Sequence, residues 1–373
     1  MLGSIWNFLK RHKRKFFFTG AVVGGVFVFR KYVQWKVKEF QDKETADCLA
    51  NARRQHHFDS NQRTCNTTVL SMLPGLREAI MKLLDTEALA CKLKNRPSNK
   101  LELWEDLKIK SFTRTFVAIY SSCVLVLVLR VRLNIIGGYM YLDNLLNRNG
   151  TTKDLAVASQ EVQQRYLESI HYILGQGLED LVAAVTKAVE EVVGCISLKG
   201  PLSICDIENI VRKTRQKLEY WQENGYYDST TTSLYRFMLP PENTLLMARY
   251  ISRDDQILDK LSKETQDMIE SADFNTVLTL CLDRSFSRLT DTISEQFRHS
   301  CGDTSAIPNP VETTLPMAKV IPIISGLIHA VLSDMPNEFI QELLLIDQVK
   351  NFAANIYEAF SQEDEETARQ QVL

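Results

Sequence analysis

The segment from Asn99 to Leu142 constrains the fold of this 373-residue chain more than any other. Within it, Phe116–Leu129 contains no charged residue, and Arg114, Arg130 and Arg132 bracket the run closely. Such a run is shorter than the roughly 20 apolar residues that a membrane span requires. Its β-branched residues would also suit a buried strand, but no other strand-like run is present to pair with it. We therefore predict the central, buried helix of an all-α domain.

The composition agrees with long helices and gives little reason to expect a nucleic-acid partner. Ten prolines and fifteen glycines are few for this length, and 45% hydrophobic residues supply ample material for a core. The net charge of −2 excludes an attraction of the whole chain to nucleic acid.

The N-terminus has the pattern of a membrane anchor. A basic cluster within residues 1–15 precedes an apolar run from Phe16 to Phe29, and Tyr32 and Val33 extend that run. Gly20 and Gly24 form a GxxxG match, which permits close helix packing. A cleaved signal peptide fits poorly, because the run ends in bulky and basic residues without a small-x-small site. We predict a single transmembrane anchor over residues 16–33.

The orientation of this anchor is ambiguous from charge alone, because five Lys or Arg residues flank the apolar run Phe16–Phe29 on each side. Two glycosylation sequons, at Asn66 and Asn149, would suit a lumenal domain. Eight cysteines without any CxxC pair are typical of free thiols in a reducing compartment. The cysteines favour the cytosol over the lumen.

The remainder of the chain is a succession of helical apolar patterns separated by short breaks. Residues 67–84 are amphipathic around Pro74, and Gly137-Gly138 predicts a tight turn or close helix packing. We expect one helical domain over residues 34–361 and a disordered acidic tail over residues 362–373. The predicted fold class is an all-α, elongated multi-helix bundle around the central apolar helix.

Catalytic and metal-binding motifs are missing from the sequence. It contains no phosphate-binding loop, no dinucleotide fingerprint, no nucleophile elbow and no zinc spacing. Its acidic clusters have no basic or histidine partner at catalytic spacing. We therefore expect a protein that is not an enzyme, and we expect neither a cofactor nor a metal.

A candidate docking edge lies at the start of the central stretch. Leu101, Trp104 and Leu107 recur at three-residue steps, and four further residues lie nearby in the sequence: Leu93, Lys94, Lys100 and Lys108. Apolar pockets and steering charge are what a groove for an acidic amphipathic helix needs. From the pattern alone, a core position for Trp104 is favoured over a binding position.

Long stretches of the chain resemble the peroxin-3 family in its vertebrate form. The resemblance is carried by residues 6–13, 60–66, 94–108, 132–139 and 352–360, and it covers nearly the whole chain. It is weaker over residues 223–249 and 299–314.

The resemblance implies a docking receptor in the peroxisomal membrane, with a short lumenal N-terminus and a helical domain that faces the cytosol. This domain is expected to bind a helix near the N-terminus of peroxin-19, the cytosolic chaperone for newly made peroxisomal membrane proteins. The implied groove contains Trp104 with Lys319 beside it, and further groove or groove-support positions at Leu93, Lys94, Lys100, Leu107 and Asn134. Ala90 stands where the resemblance predicts a threonine.

Peroxin-16 and the lipids of the peroxisomal membrane are further partners that the resemblance implies; a cofactor and nucleic acid are not implied. The resemblance leaves open whether the protein passes through the endoplasmic reticulum on its way to the peroxisomal membrane. The competing hypothesis is a single-pass glycoprotein whose helical interaction domain lies in the secretory lumen.

Overall fold

The fold is taken from a computed structural model of the chain. The structure describes residues 13–95, 98–148, 159–219, 234–240, 252–300, 314–334 and 336–362, and for residues 13–28, 146–148 and 300 it describes the backbone alone. The acidic tail from residue 363 onward, Asn149 and Cys301 lie outside the described residues.

Helices account for almost all of the described secondary structure, which confirms the all-α class. They are α1 (Lys13–Leu83), α2 (Thr86–Lys94), α3 (Lys100–Arg148), α4 (Gln160–Glu168), α5 (His171–Leu174), α6 (Gln176–Val193), α7 (Ile204–Glu219), a 3₁₀ turn (Tyr235–Phe237), α8 (Arg253–Glu270), α9 (Ala272–Ser300), α10 (Met317–Gly326), α11 (Ile328–Val331), α12 (Glu338–Leu345) and α13 (Asp347–Ser361). Two short antiparallel strands, β1 (Pro201–Leu202) and β2 (Leu315–Pro316), pair Pro201 with Pro316 and Leu202 with Leu315.

The contacts divide the chain into two compact units, Met1–Asp59 and Ser60–Leu373. In the described part of the first unit, α1 carries exposed aromatic side chains, among them Phe29, Tyr32 and Trp35. The backbone is helical through Phe16, Gly20 and Gly24, as an anchor would require. The domain boundaries and the membrane anchor predicted from the sequence remain predictions.

Helix α3 is the centre of the second unit, as predicted. Within the part of the chain that the structure describes, Lys100–Leu145 is the one helix long and apolar enough to cross a membrane, and its most apolar window is 100% buried inside the protein. Helices α6, α10 and α13 pack along it. The apolar run Phe116–Leu129 is therefore a core helix.

The arginines that bracket this run are buried too, and each has a polar partner. Arg130 donates to Asn66 Oδ1 at 2.6 Å, and Arg132 donates to the Tyr166 carbonyl at 2.9 Å and to Ser169 Oγ. Hydrogen bonds to such groups offset part of the cost of burying a charge, although the Nε atom of each arginine is buried without a partner. These contacts tie α3 to α1 and α4.

Gly137 and Gly138 do not end the central helix, which runs ten residues further to Arg148. Their role is the close packing that was predicted as the alternative to a turn. A Cβ atom added at Gly138 would lie 2.7 Å from backbone atoms of Phe360 in α13, so only glycine permits this approach.

Some predicted elements differ in length from the observed ones. Helix α1 continues through Pro74, and the helical apolar pattern over residues 336–360 is divided into α12 and α13 at Ile346. The seven described cysteines are all free, as predicted, but only Cys65, Cys123 and Cys281 are buried.

Candidate functional site

A groove opens where the start of α3 meets α2 on one side and α10 with α11 on the other. We call it the Trp104 groove; it has a volume of about 510 Å³ and is lined by Thr86, Glu87, Ala90, Leu93, Lys94, Lys100, Trp104, Leu107, Arg114, Ile321, Pro322, Ser325, Gly326 and His329. Five of the residues predicted for a binding site, Leu93, Lys94, Lys100, Trp104 and Leu107, are thus brought together.

The first bank of the groove is α2, a helix of nine residues. Its start is fixed by Asp85, whose side chain accepts a hydrogen bond from the Ala88 amide at 2.8 Å. Leu89 buries its side chain in the core, and the largely buried Leu93 lines the groove together with Glu87, Ala90 and Lys94.

The floor of the groove is one face of α3. Trp104, Leu107 and Arg114 lie at helical positions i, i+3 and i+10, which place them on the same side of the helix. Leu107 is buried, whereas Trp104 is only partly buried and packs against the core from the groove. One turn earlier, Leu101 is 70% exposed, so it extends the apolar surface toward solvent.

The second bank comes from α10 and α11, more than two hundred residues later in the sequence. Ile321, Pro322 and Gly326 supply apolar surface, and Pro322 lies within α10. Ser325 and His329 are the polar groups of this bank. The sequence offered no signal for this bank beyond the resemblance at Lys319, because periodicity within α10 does not reveal which distant helix it faces.

A buried arginine joins the floor to both banks. Arg114 Nη1 contacts the two carboxylate oxygens of Glu87 at 2.8 and 2.9 Å, and its Nη2 donates to the Ser325 carbonyl at 2.7 Å and to Ser325 Oγ at 2.8 Å. Partial burial of the Glu87 carboxyl acts to raise its pKa, but the hydrogen bonds and charge of Arg114 outweigh this and hold the pKa below its usual range. Glu87 is therefore ionised at neutral pH, and the positive charge of Arg114 balances its negative charge.

The free positive charge lies at one end of the groove. Lys94 ends α2 and Lys100 begins α3, and both are exposed. Among the described residues, neither lysine forms an ion pair. This end of the groove therefore presents uncompensated positive charge beside apolar surface.

Lys319 is exposed on α10 and is not itself part of the groove lining. It precedes Pro322 and Gly326 by three and seven residues, which puts all three on one face of the helix. Its side chain therefore belongs to the rim of the second bank, one turn from the lining.

Two sequence expectations are not met by the geometry. Lys108 is buried and points away, since its Nζ donates to the Ile196 carbonyl at 2.8 Å and pairs with Glu105 at 2.5 Å. Asn134 lies 30 residues beyond Trp104 on the same helix, which separates them by about 45 Å.

Asn134 instead belongs to a buried polar network between α3 and α1. Its Oδ1 accepts from Asn61 Nδ2 at 3.1 Å and from Gln62 Nε2 at 2.8 Å, and its Nδ2 donates to the Arg130 carbonyl at 2.7 Å. It is fully buried, so it holds two helices together rather than contributing to the Trp104 groove.

Comparison with known proteins gives a family match over most of the chain. The family model described as Peroxin-3 matches residues 7–100 and 94–359. Peroxisomal biogenesis factor 3 of Cricetulus longicaudatus is 52% identical over 369 residues, which cover 97% of this chain and 98% of the relative. The proteins of the same name from Mus musculus and Homo sapiens are 52% and 51% identical, with the same coverage of both chains.

The matches extend over both units of the structure and over both banks of the Trp104 groove. By the extent of the family match and the identity to these relatives, the chain belongs to the peroxin-3 family.

Proposed function

We propose that this chain is a docking receptor that binds the amphipathic helix near the N-terminus of peroxin-19 in the Trp104 groove. Family membership gives the chain a role in peroxisome biogenesis and an association with the peroxisomal membrane, and its relatives carry the name of a biogenesis factor and not of an enzyme. Docking of the chaperone would bring newly made membrane proteins to that membrane.

The observation that carries the proposal is a partly exposed tryptophan in an apolar groove with free lysines at its edge. A tryptophan that packs on the core from one side and faces an open groove on the other is a typical binding anchor. Lys94 and Lys100 supply charge that attracts and orients an acidic amphipathic helix. The apolar lining supplies the surface that its hydrophobic face needs.

The proposal extends to the rest of the membrane setting. It includes an anchor over residues 16–33 and a helical domain that faces the cytosol. It also includes contacts with peroxin-16 and with lipids of the peroxisomal membrane.

The test is the affinity of the full-length chain, held in lipid nanodiscs, for a synthetic peptide of the peroxin-19 helix. Because burial of one aromatic anchor contributes about 2 kcal/mol or more to binding, Trp104→Ala should weaken the affinity about 30-fold in calorimetry. The matched control is Trp35→Ala, since Trp35 is exposed in the first unit and outside the groove. The control should bind like the wild type.

Circular dichroism and thermal unfolding accompany both variants. Unchanged affinity of a folded Trp104→Ala variant would refute the groove assignment. An unfolded variant would show that Trp104 contributes mainly to the core.

The competing hypothesis of a lumenal glycoprotein has less support. The side chain of Asn66 lies on α1 and is half-buried, and its amide oxygen accepts a hydrogen bond from Arg130 at 2.6 Å. Attachment of a glycan there would break this contact and bring a bulky group against α3. Treatment of the expressed protein with an endoglycosidase should therefore leave its mobility unchanged.

A further inference from the structure

The two banks of the Trp104 groove are joined across its floor by polar contacts, in addition to the apolar packing of the helices. Arg114, with only 1% of its side chain exposed, contacts Glu87 of α2 and Ser325 of α10 at the same time. Two further hydrogen bonds run parallel to it: Thr86 Oγ1 lies 3.2 Å from Ser325 Oγ, and Thr115 Oγ1 donates to the Ile324 carbonyl at 2.9 Å.

The acceptors at the end of α10 explain why these donors are needed. The carbonyl groups of the last residues of a helix have no partner within the helix. The Ser325 carbonyl accepts from Arg114, and the Ile324 carbonyl accepts from Thr115 as well as from the Leu327 amide at 3.1 Å. Loss of the Arg114 contacts would deprive the partly buried carbonyl of Ser325 of its guanidinium donor, which is costly in a low-dielectric interior.

Helix α2 depends on such contacts more than the longer helices do. It has only nine residues, and isolated helices of this length are marginal in water, so tertiary contacts must hold it in place. Leu89 and Leu93 attach one side of it to the core, and Glu87 attaches its first turn to Arg114. The Glu87 carboxylate accepts both of its hydrogen bonds from Nη1 of Arg114. The Nη2 atom of the same guanidinium group donates to Ser325 in α10.

We propose that Arg114 is a positioning residue that fixes the spacing between α2 and α10, so that the Trp104 groove is preformed before a partner helix arrives. This inference rests on the proposed docking function and adds the device that sets the width of the site. A site that is ordered in advance avoids the entropic cost of ordering on binding, which raises affinity without any new contact. Arg114 itself does not need to touch the partner.

The experiment compares Glu87→Ala with Glu342→Ala in the full-length chain in nanodiscs. Glu342 is the matched control: its carboxylate also accepts from an arginine of another helix, Arg288 in α9, at 2.6 Å, and neither residue lines the groove. Two quantities are measured for each variant, the affinity for the peroxin-19 helix peptide and the hydrogen–deuterium exchange of residues 86–94 without peptide.

Glu87→Ala should weaken peptide binding about tenfold and accelerate exchange in α2 at least as strongly. Glu342→Ala should change both quantities less than twofold. Thr115→Val supplies a second variant, because Thr115 is buried beneath the floor and cannot touch a partner. It should act in the same direction as Glu87→Ala.

Wild-type affinity for Glu87→Ala, or equal losses in Glu87→Ala and Glu342→Ala, would overturn the positioning role. Weaker binding with unchanged exchange in α2 would also overturn it, since Glu87 would then contact the partner directly. If Trp104→Ala does not affect peptide binding, the docking function fails. The exchange data alone then decide whether Arg114 holds α2, and unchanged exchange would refute it.

Discussion

Lys319 and Trp104 belong to two helices that are distant in the sequence and that meet at the groove. Trp104 is on the floor of the groove, and Lys319 is on the rim of the opposite bank, one helical turn before Pro322. Together with Lys94 and Lys100, Lys319 would frame the apolar surface with positive charge. Exposed charges of this kind act over several ångströms and are screened by salt.

Reversal of the charge of Lys319 tests whether this lysine attracts an acidic partner. Lys319→Glu should weaken binding of the peroxin-19 peptide about fivefold at low salt, mainly through slower association. The loss should shrink to less than twofold at 0.5 M salt, because screening removes the repulsion between the new carboxylate and an acidic partner. Surface plasmon resonance at several salt concentrations measures both rates.

The matched control for this variant is Lys350→Glu, because Lys350 is an exposed lysine on α13 that does not line the groove. It should bind the peptide like the wild type at every salt concentration. An equal effect of Lys319→Glu at all salt concentrations would exclude a steering role.

At the scale of elements, the close approach of α3 and α13 depends on a single missing side chain. A Cβ atom at Gly138 would lie 2.7 Å from the carbonyl carbon and oxygen of Phe360, and a backbone cannot move aside as a flexible side chain can. Alanine favours helices over glycine by up to about 1 kcal/mol. The steric cost of overpacking, about 1–3 kcal/mol, is the larger of the two effects.

Gly138→Ala should therefore lower the free energy of unfolding by about 2 kcal/mol. Gly75→Ala is the control: it is also a glycine within a long helix, but an added Cβ there meets no atom within 4 Å. This control should be neutral or slightly stabilising. Denaturant unfolding of both variants measures the difference, and equal stabilities would contradict the packing described for α3 and α13.

Elements with strong periodicity could be predicted from the sequence, whereas their ends and their distant neighbours could not. The central helix was predicted, because an apolar run with charged flanks is a local signal. At Gly137-Gly138 the sequence predicted either a tight turn or close helix packing, since glycine is typical of both. Only the tertiary contact with Phe360 distinguishes the two.

In the candidate site, too, local sequence signals predicted what lies close together in the chain and not what packs against it from a distance. Leu93, Lys94, Lys100 and Leu107 are near Trp104 in the sequence, so pattern and resemblance together identified this half of the groove. The residues of the opposite bank, including Pro322 and Ser325, approach it only through the packing of α10 on α3. Asn134 was expected near the groove through resemblance, but a position along a helix of 49 residues fixes its distance from Trp104.

At the scale of the whole molecule, the reactivity of the cysteine thiols can test on which side of the membrane the helical domain lies. Cys91, Cys195 and Cys205 are exposed in the second unit. Burial raises the pKa of Cys65 and of Cys123 to about 12, so these two thiols remain protonated and unreactive in the folded protein. Exposed and buried thiols can therefore be distinguished by their reaction with a maleimide.

A membrane-impermeant maleimide applied to intact peroxisomes should label Cys91, Cys195 and Cys205, because the proposed topology places the helical domain in the cytosol. Mass spectrometry identifies the modified residues. Cys65 and Cys123 should react only after denaturation, which provides an internal control for folding. Labelling of the exposed thiols only after the membrane is permeabilised would contradict the cytosolic topology.

The central claim is that a partner helix lies in the Trp104 groove, and site-specific photo-crosslinking measures this most directly. A photoreactive benzoylphenylalanine replaces Leu101, which is 70% exposed one turn before Trp104, or Leu345, which is 65% exposed on α12 outside the groove lining. With full-length peroxin-19 and the full-length chain in nanodiscs, we predict a crosslink from position 101 and none from position 345. A crosslink from position 345 alone, or binding without a crosslink at position 101, would contradict docking in this groove.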